Sequence, residues 1–105
     1  MAAGEFAVDK VYDSSGVFAI RDINPRAPVH ALVIPRRHIS MVSDLGPSDA
    51  ELLGEMFAAA NEVARSEGLD SSGYRCAFNV GADAGQSVFH IHMHVLGGRR
   101  LGPEA

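Results

Sequence analysis

The chain has 105 residues, the size of one domain, and the expectation is a single domain over 1–105. Hydrophobic residues at 47% and charged residues at 21% exclude a disordered chain, and a lone cysteine excludes both a disulfide framework and a CxxC zinc site. A net charge of −4 argues against a nucleic-acid partner, and with no long apolar run and no secretory leader pattern the expectation is a cytoplasmic protein without a membrane partner.

Residues 6–13 alternate weakly, and Asp13-Ser14-Ser15-Gly16 is a turn cluster. Val17 to Asp22 then completes a hairpin. Asn24-Pro25-Arg26-Ala27-Pro28 is a loop, because its two prolines remove ladder donors. A third strand runs from Val29 to Ile34 and stops at Pro35.

A helix is predicted from Ser48 to about Glu67. Ser48 with Glu51 has the spacing of a capping box, and Pro47 blocks backward extension. Leu52, Leu53, Met56, Phe57, Ala60, Val63 and Ala64 recur at helical spacing and read as core. Gly68 is a natural stop. Tyr74 to Val80 is a fourth strand and Ser87 to Leu96 a fifth, with a small loop at 81–85 between them. Three strands, one long helix and two strands imply an α+β domain with a five-stranded, mostly antiparallel sheet.

The informative segment is His90-Ile91-His92-Met93-His94-Val95. Alternate residues share a face on a strand but not on a helix. A strand here shows three imidazoles to one side and apolar groups to the core. Three chemistries compete: a metal site, a Ser/His/Asp arrangement using Ser87, and histidine as a nucleophile on phosphorus. No Cys/His cluster is nearby in sequence and no G-x-S-x-G elbow is present. Gly85-Gln86-Ser87, just ahead, brings backbone N–H groups and a hydroxyl that suit phosphate oxygens. His30 sits on an otherwise apolar strand face. His38 reads as surface or structural, and Cys76 as a small core residue.

His90-Ile91-His92-Met93-His94-Val95-Leu96 resembles the motif of the histidine triad (HIT) superfamily, His-φ-His-φ-His-φ-φ with φ apolar. Gly85 to Phe89 before it, Gly97-Gly98-Arg99 after it, and the stretch from Asp22 to Ser40 resemble the Hint branch. The resemblance covers about residues 10–100. It implies a HIT-like fold whose sheet continues across a homodimer. It also implies cleavage of the P–N bond of purine nucleoside 5′-phosphoramidates through a nucleotidyl-histidine, with no metal or cofactor. By position, His92 is the nucleophile, His90 and His94 orient it and contact phosphate or leaving group, and His30 supports them. Asn79, Gly85 and Ser87 line the phosphate site. Asp22 takes the ribose hydroxyls of an AMP-type substrate, with Ile20 and Ile23 beside the base. The alternatives within this resemblance are a Fhit-like dinucleoside polyphosphate hydrolase and a non-catalytic nucleotide-binding module. Hint relatives end in Trp-Pro-Pro-Gly, a tail that reaches the partner's site. Leu101 to Ala105 differs, so a more open leaving-group side is expected.

Overall fold

The computed structural model describes residues 10–103. Five strands form one antiparallel sheet: β1 (Lys10–Asp13), β2 (Val17–Arg21), β3 (Val29–Pro35), β4 (Tyr74–Ala77) and β5 (Met93–Gly97), in the order β1-β2-β3-β5-β4. One helix, α1 (Ala50–Ser66), joins β3 to β4 and packs on one face. The expected α+β architecture is therefore present. The early part of the first strand, at Phe6 and Val8, lies outside the described residues. Among the described residues, no helix is long and apolar enough to cross a membrane.

The helix-side core follows from two periodicities. Along the strands, alternate residues Val17, Ala19, Ala31, Val33, Met93 and Val95 point toward α1. From α1, Met56, Ala59, Ala60 and Val63 meet them, and all four are fully buried. Three alanines on the buried helix face, Ala59, Ala60 and Ala64, allow a close approach to the sheet. Cys76 is half-buried against this core, as read, and burial pushes its thiol pKa up. Phe57 departs from its reading as core: it is 45% exposed, because the arc that faces the sheet runs through Met56 and Ala60 instead.

The helix start also differs. A 3-10 turn at Pro47–Asp49 precedes α1, and no side-chain capping bond forms at the α1 N-cap. Asp49 instead accepts the Gly46 N–H at 2.9 Å and pairs with Arg37. These two contacts, the Gly46 bond first, hold the Asp49 carboxyl below its usual pKa. At the other end, Leu69 N–H bonds back to Ala64 O and Gly68 takes φ +76°, a left-handed stop.

The two late strands are shorter than their patterns. β4 ends at Ala77 rather than Val80, and β5 begins at Met93 rather than Ser87. Between them the chain is looped, with a 3-10 turn at Ala82–Ala84. The opposite sheet face carries a smaller cluster of Phe18, Ile20, Leu32 and Ile34. The cations of Lys10 and Arg36 lie over the Phe18 ring, 5.7 and 5.0 Å from its centroid.

Candidate active site

β3 lies against β5 although about 60 residues separate them, and that pairing creates the site. In register, Leu32 faces His94 and His30 faces Leu96. The imidazoles of His30 and His94 therefore stand diagonally on the face away from α1. Their rings meet with His30 Nε2 2.9 Å from His94 Nδ1. His92, just before β5, packs edge-on against His94 with centroids 5.2 Å apart. Ile91, Met93 and Val95 are buried on the helix side, as the alternation requires.

These rings open into a cavity of about 420 Å³. Of the residues singled out from the sequence, His30, His92, His94, Asp22, Asn79, Gly85 and Ser87 all line it. Three do not. His90 sits in a bend rather than on the strand, and its Nε2–H donates to Pro35 O at 2.8 Å. Its Nδ1 lies 3.3 Å from that of His38. The ring is thus turned toward the end of β3, and it is the His90 backbone that serves the triad. Ile23 is 92% exposed, in the loop after β2, so it packs on nothing in the free chain. Ile20 is buried in the cluster beneath, and its neighbour Leu32 contributes, with Val88, to the apolar part of the cavity wall.

The hydrogen bonds assign the tautomers. His92 Nδ1 lies 2.9 Å from the carbonyl oxygen of His90. A carbonyl only accepts, so Nδ1 carries the proton and Nε2 keeps its lone pair. Arg26 N–H donates to His30 Nδ1 at 3.1 Å, which puts the His30 proton on Nε2, pointing at His94. His94 Nδ1 then accepts, and its Nε2 bears a hydrogen. Burial, and then the nearby His92 and His30 rings, lower the His94 pKa to about 4. Burial also lowers that of His30, against the pull of Asp22. At neutral pH both are neutral rings with one N–H each.

Asp22, His30 and His94 offer ligand atoms within 4.8 Å of one another. Here the two ring nitrogens are joined by a hydrogen bond, so His30 Nε2 holds a proton rather than a free lone pair. The cluster is arranged for proton placement.

Gln86 braces the loop at the cavity, a role that the motif contained but did not single out. It is 6% exposed. Its Oε1 accepts the Gly81 N–H at 2.8 Å, and its Nε2 donates to Ser40 O at 2.8 Å and Val88 O at 3.1 Å. Asn79 Nδ2 donates to Ala84 O at 2.9 Å in the same loop. Gly85 closes the turn with φ +84°, a left-handed value that suits glycine. Gln86 thus ties the loop bearing Gly85 and Ser87 to the segment after β3. Polar side chains in loops are usually solvated, and only burial marks this one. Gln86→Ala is expected to destabilise the fold by about 2 kcal/mol, because three part-buried backbone groups lose their bonds to this side chain. Urea unfolding measures this, and an unchanged midpoint would refute it.

A helix-backed antiparallel sheet with imidazoles from two adjacent strands over one open cavity defines an α+β enzyme domain of histidine chemistry. Comparison with known proteins agrees: the HIT domain model matches residues 3–101. The chain belongs to the HIT family, and its likeness falls in the Hint branch. It is 46% identical over 99 residues to the purine nucleoside phosphoramidase of Escherichia coli K12, covering 94% of this chain and 83% of that protein. Among solved structures, a HIT family hydrolase from Legionella pneumophila superposes with a TM-score of 0.95 at 42% identity, covering 100% of this chain and 95% of that one. A HIT family hydrolase from Clostridium thermocellum gives 0.91 at 46% identity, covering 94% and 86%.

Proposed function

We propose that this chain hydrolyses the P–N bond of purine nucleoside 5′-phosphoramidates through a nucleotide bound covalently to His92. One observation carries the reading: the His90 carbonyl holds the Nδ1 proton of His92, which leaves Nε2 as a free nucleophile in a cavity lined by Gly85 and Ser87. The kinship with the Escherichia coli phosphoramidase supports the substrate class.

The steps follow from the tautomers. His92 Nε2 attacks the α-phosphorus, and the P–N bond breaks with its electron pair going to nitrogen. The amine takes a proton from water and leaves. The neutral Nε2–H of His94 donates to a phosphoryl oxygen as charge builds there. Ser87 and the loop at 85–87 supply further donors, with Asn79 bracing that loop. A second water then attacks phosphorus on the side opposite His92, its released proton neutralising the hydroxide left by the first, and frees His92 and a nucleoside monophosphate. Asp22, at the cavity edge, takes the ribose hydroxyls. Leu32, above the buried Ile20, offers an apolar wall, and Ile23 closes on the base from its exposed loop. The test is turnover of adenosine and guanosine phosphoramidates beside diadenosine polyphosphates, all in EDTA. P–N cleavage is expected to dominate and to survive chelation. Faster cleavage of the polyphosphates would overturn the substrate class, and activity lost in EDTA would overturn the metal-free route.

The same reading includes a homodimer whose sheet continues through β4. This strand forms one edge of the sheet, and edges invite pairing. Within it, Arg75 Nη1 is buried with no hydrogen-bond partner among the described residues. Light scattering at micromolar concentration is expected to give twice the chain mass of 11.1 kDa. A monomer mass would refute the assembly.

A further inference from the structure

The one proton of His30 Nε2 is hydrogen-bonded to one acceptor, and a second lies near the same nitrogen without a hydrogen bond to it. His94 Nδ1 is 2.9 Å away and Asp22 Oδ2 is 3.4 Å away. A single N–H cannot align with both, since hydrogen bonds weaken steeply away from linearity. His30 has no second proton to offer, because its Nδ1 is taken by the Arg26 N–H. The His30 side chain is almost fully buried, so water does not readily substitute. Asp22 is held in place by its other oxygen, which accepts the Asn24 N–H at 2.9 Å. A carboxylate is a stronger acceptor than a neutral ring nitrogen, so a small turn of the His30 ring toward Asp22 brings it into competition.

The consequence lies at His94. While His30 donates to its Nδ1, His94 must present Nε2–H to the cavity. When the His30 proton turns to Asp22, nothing holds that tautomer. The alternative form, with a bare Nε2, then turns a lone pair toward the phosphoryl oxygens and opposes the developing charge.

We propose that the ribose of the bound nucleotide decides this competition: its hydroxyls occupy Asp22 Oδ2, the His30 proton commits to His94, and Nε2–H is fixed toward the phosphate. Asp22 is then a positioning residue as well as a ribose ligand. No proton is gained or lost in the step; one N–H changes acceptor. The proposal rests on the nucleotide reading above and adds a claim to it. Ribose hydroxyls act on the chemical step, not only on binding.

The wild-type protein provides the first test, with adenosine 5′-phosphoramidate and its 2′,3′-dideoxy analogue compared at saturation. The dideoxy substrate is expected to lose about tenfold in kcat beyond any rise in KM, less than the ~10²–10³ that loss of an oxyanion donor costs. In Asp22→Ala the competing acceptor is gone, so the ratio of the two kcat values is expected to collapse to within about twofold. A readout independent of turnover is the ¹⁵N spectrum of the His94 ring. Saturating AMP is expected to shift it to the pure Nε2–H form, and saturating 2′,3′-dideoxy-AMP is not. Equal kcat values with different KM values in wild-type protein would overturn the coupling while leaving the ribose contact standing. Equal kcat and equal KM would remove the ribose contact itself. A kcat ratio that persists in Asp22→Ala would also overturn the coupling.

Discussion

His92→Ala is expected to remove the chemical step almost entirely while leaving AMP binding within about tenfold, or ~1.4 kcal/mol. The asymmetry follows from the site. His92 Nε2 is the one triad nitrogen whose lone pair is left free by the hydrogen bonds around it. Ground-state binding, by contrast, is proposed to be spread over Asp22, Ser87, the loop amides and the wall at Leu32, which line the cavity together. Removing a covalent nucleophile from a working unit costs on the order of 10⁴-fold or more in kcat. Steady-state kinetics and AMP titration on the same preparation decide it. Turnover within tenfold of wild type would take the nucleophile's role from His92. The comparison variant is His90→Ala. Its ring faces Pro35 O and His38 rather than the cavity, so its loss is expected to reach the reaction only through the backbone carbonyl that holds His92.

Acidification is expected to destabilise the protein through His94. Its folded pKa is about 4, against 6.5 for the free side chain. The unfolded chain therefore binds a proton as pH falls through 6.5, while the native ring stays neutral until about pH 4. The His94 contribution to stability is fully present above pH 6.5 and declines across that window. Its loss by pH 5 is about 2 kcal/mol at most, and part exposure of the ring trims it. His30 adds to the loss with the same sign, since burial lowers its pKa too. Urea unfolding at pH 7.5 and pH 5, for wild type and His94→Gln, isolates the effect. The wild type is expected to lose more stability than the variant over that interval. Parallel losses would show that His94 is not held neutral by the fold.

The fate of each histidine separates local from distant information. Alternation is a local property: residues two apart on an extended chain share a side whatever the rest of the fold does. Ile91, Met93 and Val95 were therefore readable as core, and His92 and His94 as facing away from it. His90 obeys the same arithmetic in sequence, yet it sits in a bend and hydrogen-bonds to Pro35 O, a carbonyl 55 positions earlier. The helix shows the same division. Its apolar stripe predicted α1, but which residues on the stripe are buried depends on how the helix lies on the sheet, and Phe57 falls at the margin.

By itself, then, the sequence determined the α+β class, the long helix, the strands before and after it, the shared face of His92 and His94 and the family motif that names its chemistry. These are consequences of side-chain period, turn residues and a seven-residue pattern, all of which act within a few positions. Tertiary structure alone decided that β3 enters the sheet beside β5, which is what brings His30 and Asp22 to His94. It alone buried Gln86 under the loop it holds, and turned His90 away from the cavity. Strand order and loop bracing depend on contacts between residues tens of positions apart, and the free energy that selects them belongs to the packed core as a whole.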